Sequence, residues 1–263
     1  MKTALRIALF SVRDVLRSKW GILYMLFFFL ATEGLFRLQG DTSQVTISLI
    51  GLSLILIPLT SIIFGTMYIY YSREFIELLV TQPVRRRTVF GGMYTGLTFS
   101  LITAFVVGVI TPFVLRGAHT PAEWSTLALL LTAGSCLTTA FVGLSFYISL
   151  LSEDRGKGLG IAIFVWLATA VLYDGVIMIV AYAFASYPLE TPMLILAMLN
   201  PIDMARVFLL IKVDMAALMG YTGAVFERFF GGSQGALVSI AVLLLWTVLP
   251  FWAGLRRFAR KDF

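Results

Sequence analysis

Few residues in the chain are of types that could carry out catalysis. The sequence contains a single histidine, His119, so metal sites built from several histidines are excluded. The only Gly-Lys pair is Gly156-Lys157. A phosphate-binding loop would need a glycine where Leu151 stands and a hydroxyl residue where Gly158 stands. We therefore predict no catalytic residues in this chain, which is better suited to conducting or moving a substrate.

Two sets of polar residues stand inside long apolar runs. Glu33 and Arg37 are four residues apart with the acid first, which favours an ion pair on a helix over a ligand site. Asp174 lies deep in another run, where an ionised carboxylate costs about 2.5–3.5 kcal/mol. We expect it to face the helix bundle or a dimer axis and to pair with a hydroxyl such as Tyr173 or Tyr182 of a neighbour. One interpretation is that Asp174 is a polar point on a substrate path. The other is that it makes a hydrogen bond that fixes helix packing, or lies near the headgroups at the end of the helix.

Soft metal ligands are present but poorly grouped. Five of the ten methionines fall between residues 187 and 234: Met193, Met198, Met204, Met215 and Met219. Thioethers favour Cu(I), yet methionine also fills apolar gaps, and no cysteine or histidine stands nearby to complete a site. Cys136 lies in an apolar run, where a thiol ionises poorly and would be a weak sulfur carrier. We predict no metal site and no cofactor bound by this chain.

The composition indicates which elements must hold these residues. The chain is 59% hydrophobic and 13% charged, with a mean hydropathy of +0.93, so lipid must cover much of its surface. A hydrocarbon core about 30 Å thick needs about 20 apolar residues per helix. Six runs qualify: 20–38, 45–70, 93–115, 124–151, 159–186 and 235–255. We predict an all-α membrane protein with six transmembrane helices in one transmembrane domain, 1–263.

Charge gives the orientation. The net charge of +6 reflects membrane topology and not nucleic-acid binding, because the basic residues flank the apolar runs. Most Lys and Arg residues fall in 1–19, 71–92, 152–158 and 256–263. The exceptions are Arg37, Arg116, Arg206, Lys212 and Arg228. Both termini and segment 71–92 are therefore predicted to be cytoplasmic.

Segment 71–92 is charged and amphipathic. A short helix over 73–81 would place Phe75, Leu78, Leu79 and Gln82 on one side, with Arg73, Glu74 and Glu77 on the other. Pro83 would end it. Such a helix, lying flat on a membrane protein, gives a soluble partner a rigid surface through which to transmit motion. The simpler alternative is a surface helix that only connects two spans. The predicted coupling residues are Arg73, Glu74, Phe75, Glu77, Leu78, Gln82 and Pro83.

Two further segments are predicted to be helical without spanning. Residues 1–19 alternate apolar and basic side chains, as in an amphipathic helix at the headgroups. Residues 187–234 are too apolar for a simple loop. Asn200, Pro201 and Asp203 form a good helix start there. We expect short helices that dip into the outer leaflet or lie on it, and a short seventh span is the less favoured alternative.

Several motifs resemble one family from end to end. They are Ser18-Lys19-Trp20, Glu74 to Leu78 with Gln82 to Arg86, Tyr173-Asp174-Gly175, Leu199 to Arg206, Ala217 to Gly223, and Arg260-Lys261-Asp262. The chain resembles the membrane subunits of ABC-2-type ABC transporters, most closely the NosY permeases that serve nitrous oxide reductase maturation.

The resemblance implies partners and a cargo. Two copies would join two cytoplasmic ABC ATPases, which bind ATP and Mg, and a periplasmic β-helix protein in the inner membrane of a bacterium. The cargo would be a sulfur species for copper–sulfur cluster assembly. Asp174, Asn200, Asp203 and Tyr221 are the candidate residues of the substrate path. The alternatives are a generic exporter of lipid, peptide or polysaccharide, a membrane enzyme, and a scaffold subunit without transport.

Overall fold

Every element in the described part of the chain is a helix. The computed structural model describes residues 19–81, 84–116, 120–184, 190–210 and 233–260. The elements are α1 (Lys19–Gln39), α2 (Thr42–Tyr71), α3 (Arg73–Val80), α4 (Arg86–Arg116), α5 (Pro121–Ser149), α6 (Arg155–Leu167), a π-helical segment (Ala168–Leu172), α7 (Tyr173–Ala183), α8 (Glu190–Met198), α9 (Pro201–Leu210) and α10 (Ser233–Arg260). The predicted all-α fold is confirmed. The amphipathic helix predicted for 1–19 lies outside the described residues, apart from its last residue.

Six helical stretches are long and apolar enough to cross a membrane, as predicted. They are Lys19–Gln39, Thr42–Tyr71, Arg86–Arg116, Pro121–Ser149, Arg155–Ala183 and Leu237–Arg260. The third begins at Arg86, seven residues before the predicted boundary at 93. Val89 and Phe90, in its first turns, are buried against the bundle. Packing therefore extends this helix past the end of its purely apolar run.

Polar caps start the helices at the ends of the spans. The Thr120 hydroxyl accepts a hydrogen bond from the Glu123 N–H at 3.3 Å, and the Glu123 carboxylate accepts one from the Thr120 N–H at 3.0 Å. This reciprocal pair satisfies two backbone donors at the start of α5. Asp154 does similar work for α6 by accepting from the Lys157 N–H at 3.0 Å.

Helix α5 is the centre of the bundle, with α2 and α10 packed along it and α4, α6 and α9 also in contact. Small residues let these helices approach closely. The α-carbon of Gly143 faces Pro250 of α10, and an added Cβ would lie 3.2 Å from the proline Cβ. Thr138, fully buried in α5, donates its hydroxyl to the Gly134 carbonyl at 2.8 Å, so this hydroxyl has a partner within its own helix. Close contact between small residues is typical of helices packed in lipid.

Helices α8 and α9 form a hairpin that packs into the bundle. The indole N–H of Trp246, midway along α10, donates to the Met198 carbonyl at 3.2 Å, just before the turn of the hairpin. Met204, Ala205 and Leu209 of α9 are buried. The prediction of short helices in this segment is confirmed for α8 and α9, and α9 packs against the other helices of the bundle. Whether they dip into the outer leaflet or lie on it stays a prediction. The part of the segment that covers 211–232 lies outside the described residues.

Candidate functional site

Helix α3 follows α2 after a single residue. Ser72 ends α2, its N–H donating to the Tyr68 carbonyl at 3.0 Å. Its own carbonyl accepts from the Ile76 N–H at 2.8 Å and so opens α3. The predicted helix is confirmed, and it ends at Val80, one residue before the expected end. Gln82 and Pro83, two of the predicted coupling residues, lie outside the described residues.

Helix α3 has a buried side and an exposed side. Ile76 is fully buried, and Leu79 packs against the core. Phe75 and Leu78, which the sequence places on one side of the helix with Leu79, are exposed, and Leu78 is 65% exposed. Ile76 was missed, although its spacing of three from Leu79 marks a shared face. Anchored by these two side chains, α3 presents Glu74, Phe75, Glu77 and Leu78 at its exposed surface.

Two side chains tie this joint to the segment between α5 and α6. The Tyr70 hydroxyl donates to the Ser152 carbonyl at 2.9 Å, and the Arg73 Nη2 donates to the same oxygen at 3.3 Å. The Arg73 guanidinium also lies 5.0 Å from the centre of the Tyr70 ring. Arg73 is thus a structural contact of α3 as well as a predicted coupling residue, and it holds the start of α3 to the segment between α5 and α6.

A second constellation lies where the α8–α9 hairpin meets the fifth span. The Arg206 guanidinium donates to both carboxylate oxygens of Asp174 at 3.3 Å, and its Nη1 lies 3.2 Å from Oδ1 of Asp203. Within the chain, Asp174 pairs with Arg206 and not with the expected hydroxyls: the Tyr173 hydroxyl donates to the Leu196 carbonyl at 2.6 Å, and Tyr182 is exposed. A hydroxyl partner from a neighbouring copy stays a prediction. A charged partner on α9 replaces the expected hydroxyl because the hairpin is buried beside the span.

Asn200 connects the hairpin to the π-helical segment. Its side-chain oxygen accepts from the Ile202 N–H at 3.1 Å, which confirms the predicted helix cap. Its amide group donates to the Thr169 carbonyl at 2.8 Å and to Asp203 Oδ2 at 3.0 Å. π-helical turns within α-helices are frequent at functional sites. Here the amide of Asn200 meets a carbonyl within that turn.

The cluster holds two acids and one base. Burial raises the pKa of Asp203 to about 6. Arg206 opposes that rise, while the neighbouring Asp174 adds to it. Of the four predicted path residues, the structure brings together Asp174, Asn200 and Asp203. The fourth, Tyr221, lies outside the described residues. No pattern in the sequence marks Arg206 as the partner of Asp174.

The predicted pair on the first span is confirmed and has a third member. Arg37 Nε lies 3.2 Å from Glu33 Oε1. The Arg116 guanidinium at the end of α4 also pairs with Glu33, with its Nε 3.2 Å from Oε2. The carboxylate therefore joins the ends of the first and third spans.

The methionines of the hairpin are packing residues. Met193 and Met204 are buried among apolar side chains, which favours the filler interpretation, while Met215 and Met219 lie outside the described residues. Within the described ranges, no group of three His, Cys, Asp or Glu side chains could hold a metal ion. Residues 231–235 have the G-x-S-x-G spacing of some hydrolases. Ser233 is the first residue of α10, and the residues directly before it lie outside the described part of the chain.

These observations define a class of protein: a multi-pass helical membrane protein with an exposed amphipathic helix between its second and third spans. The chain belongs to the ABC-2 family, since the family model described as ABC-2 family transporter protein matches residues 5–263. No curated protein sequence matches the chain. It is therefore a transmembrane permease subunit of an ABC transporter, and it works with an ABC ATPase. Such membrane subunits are in general not catalysts themselves.

Proposed function

We propose that α3 is the element through which a separate cytoplasmic ATPase drives this permease. The observation that carries the proposal is the division of α3 into two faces. Ile76 and Arg73 fix it to the bundle, while Glu77 and Leu78 are left exposed. An exposed leucine beside two acids is suited to a partner surface, whereas a connector needs no such residue. ATP and Mg bind the partner ATPase and not this chain.

The end of the bundle that carries α3 faces the cytosol in this proposal. Basic side chains collect there: Lys19, Arg73, Arg85, Arg86, Arg87, Arg155, Lys157, Arg256, Arg257 and Arg260. The opposite ends of the first and third spans carry Arg37 and Arg116, both of which pair with Glu33. Basic residues accumulate on the cytoplasmic side of membrane proteins. Both termini are then cytoplasmic, and the protein lies in the inner membrane of a bacterium.

The working unit is a homodimer. The fifth span, Arg155–Ala183, contains an apolar window of 18 residues in which no residue is buried within the single chain. The buried residues of α6, Gly158 and Ala162, lie near the start of the span. Its exposed side chains include Phe164, Val171 and Ile179. A second copy related by a two-fold axis along the membrane normal would cover part of this face and place both α3 helices on one side. Two ATPases then act on one path, and lipid covers the remaining apolar surface.

The ion cluster borders that path. The side chain of Asp174 is 42% exposed within the single chain, so it reaches the surface that the second copy would approach. Asp203 and Asn200 lie behind it. Asp203 pairs with Arg206, and the Asn200 amide donates to the Thr169 carbonyl. Movement of the hairpin relative to the fifth span changes these contacts, which makes the cluster, with Tyr221, the proposed polar part of the route.

For the cargo, the NosY resemblance supports a sulfur species, or a related precursor of a copper–sulfur cluster, that is delivered to the periplasm for nitrous oxide reductase. The partners are then a NosF-like ATPase and a NosD-like periplasmic β-helix protein. The test is nitrous oxide reductase isolated from a strain that lacks this chain. We expect the reductase to lack its catalytic copper–sulfur cluster and to regain it when the wild-type chain is restored.

The outcomes of that test separate the alternatives. An intact cluster in the deletion strain would overturn the cargo and leave a generic ABC-2 exporter of lipid, peptide or polysaccharide. A chain with Leu78→Asp that restores the cluster fully would overturn the role of α3. A scaffold without transport predicts that a catalytically inactive ATPase, bound normally, also restores the cluster.

A further inference from the structure

An apolar groove lies between the first three spans, at the end of the bundle that carries α3. It has a volume of about 420 Å³ and is lined by α1, α2 and α4. Its depth is apolar, with Ile63 and Phe64 from α2 and Leu97 and Leu101 from α4. Ser72, at the joint between α2 and α3, lines its edge, but none of the predicted coupling residues and none of the residues of the ion cluster lines it. It is a separate feature of the permease.

The groove has the length of a lipid tail within one leaflet. Along α2 it runs from Ile63 to Tyr71, eight residues, or about 12 Å at 1.5 Å per residue. One leaflet of a hydrocarbon core about 30 Å thick is about 15 Å deep. The exposed apolar side chains of Leu23 and Phe99, on the α1 and α4 helices that flank the groove, are of the kind that lipid covers. The open side of the groove therefore faces the hydrocarbon of the lipid bilayer.

The mouth of the groove is aromatic and basic. Trp20 and Tyr71 line it there, and both are largely exposed, as expected for rings at the level of the headgroups. The Arg155 guanidinium lies 5.6 Å from the centre of the Tyr71 ring, and Lys19 directly precedes Trp20 and is exposed. An apolar slot that ends beside two cations matches a molecule with a hydrocarbon tail and a negative head.

We infer that this groove binds one acyl chain of an anionic membrane phospholipid, with its phosphate-bearing head beside Lys19 and Arg155. The tail would occupy the slot between Phe64 and Leu101, and the aromatic rings at the mouth would lie beside the glycerol region. Bound in this position, the lipid would join the first span to the α2–α3 joint, next to the coupling surface. The site stands on its own contacts and does not depend on the cargo or on the ATPase.

The test uses the fluorescence of Trp20, which bromine atoms on a lipid tail quench at short range. The full chain is reconstituted in phosphatidylcholine vesicles with increasing fractions of tail-brominated phosphatidylglycerol or tail-brominated phosphatidylcholine. Subtracting the signal of a Trp20→Phe protein isolates Trp20 from the other four tryptophans. We expect half-maximal quenching at a mole fraction at least fivefold lower for the anionic lipid. Fivefold corresponds to about 1 kcal/mol, the typical contribution of one basic residue at an anionic surface.

Charge variants locate the head. Lys19→Gln and Arg155→Gln should each reduce the preference for the anionic lipid about fivefold, while both proteins keep the wild-type melting temperature. Arg256→Gln is the matched control, because Arg256 stacks on Trp252 of α10 and not on a residue of the groove. If Arg155→Gln fails to fold, Lys19→Gln alone decides the question.

Two results would overturn the inference. Equal quenching by both lipids in proportion to their mole fraction would mean that Trp20 meets only bulk lipid. Absence of quenching by either lipid would mean that another occupant, such as residues 1–18 of the chain, excludes lipid from the groove.

Discussion

Arg206 on α9 forms a bidentate ion pair with Asp174 on α7, in which each of two guanidinium nitrogens lies 3.3 Å from one carboxylate oxygen. This contact joins the buried hairpin to the fifth span, just beyond the π-helical segment. A two-pronged pair fixes orientation as well as distance, because the planar fork of an arginine matches a carboxylate. It therefore sets the position of the hairpin relative to the face on which we propose the second copy packs.

Replacing Arg206 with methionine should destabilise the permease. The change leaves the carboxylates of Asp174 and Asp203 close together without a cation, and Asp203 is only 7% exposed. We expect a loss of about 1–3 kcal/mol, less than for a fully buried pair because Arg206 and Asp174 are partly exposed. The measurement is thermal unfolding in detergent. Arg37→Met is the control, since Glu33 keeps Arg116 as a partner. Equal melting of both variants would contradict the role of Arg206.

Stability should depend on pH through Asp203, which lies on α9 and outside the six spans. Its pKa is raised by burial to about 6, so the folded protein holds this proton more tightly than the unfolded chain does. Between about pH 4 and 6 the folded state then binds more protons, and stability falls as the pH rises through this window. Melting temperatures from pH 4 to 7 should show this fall in the wild type and a flatter profile in Asp203→Asn. Identical slopes would exclude Asp203 as the source.

The exposed surface of α3 should be required for the ATPase and not for folding. Leu78→Asp and Glu77→Arg are expected to weaken co-purification of the ATPase about five- to thirtyfold, the range for residues that contribute about 1–2 kcal/mol to an interface. Insertion and melting temperature should stay at wild-type values, because both side chains are exposed.

A matched variant separates surface from position. Leu38→Asp changes a leucine that is 85% exposed at the end of α1, away from α3. It should leave the ATPase bound. Ile76→Asp, in contrast, should lower the melting temperature, because a charge enters the buried side of α3. ATPase bound normally to both Leu78→Asp and Glu77→Arg would remove α3 from the coupling mechanism.

Helices α1 and α4 depend on a glycine for their close contact. A Cβ at Gly108 would lie 2.7 Å from the Met25 carbonyl oxygen and 3.0 Å from the Phe28 Cβ. We expect Gly108→Ala to cost about 1–3 kcal/mol by overpacking. Gly51→Ala is the control, because no atom lies within 4 Å of its added Cβ, and alanine there should be neutral or stabilise by about 0.4–1 kcal/mol. Two equal melting temperatures would show that the contact can relax freely.

The sequence predicts most of the fold because hydropathy acts locally. Each span is a run of apolar residues of sufficient length, and each such run became a helix. Local chemistry also predicts the cap of Asn200 and the pair of Glu33 with Arg37, since every partner is within four residues.

What the sequence did not predict depends on contacts between distant segments. Arg206 meets Asp174 across 32 residues, and Arg116 meets Glu33 across 83. Neither pair follows from periodicity on one helix. The buried side of α3 could not be predicted for a related reason: Ile76 and Leu78 are both apolar, and only the position of the neighbouring spans decides which one is covered. The role of the predicted path residues stays a prediction.

The single residue between α2 and α3 leaves no slack. Ser72 makes the last hydrogen bond of α2 and the first of α3. The Ser152 carbonyl accepts hydrogen bonds from Tyr70, before Ser72 in the chain, and from Arg73, after it. No flexible linker separates α3 from α2 that could absorb a displacement of α3. If α3 is the coupling element that we propose, its displacement tilts the second span, moves the start of the fifth span, or breaks the two hydrogen bonds to the Ser152 carbonyl. These few short contacts then limit how far α3 can move before the spans follow it.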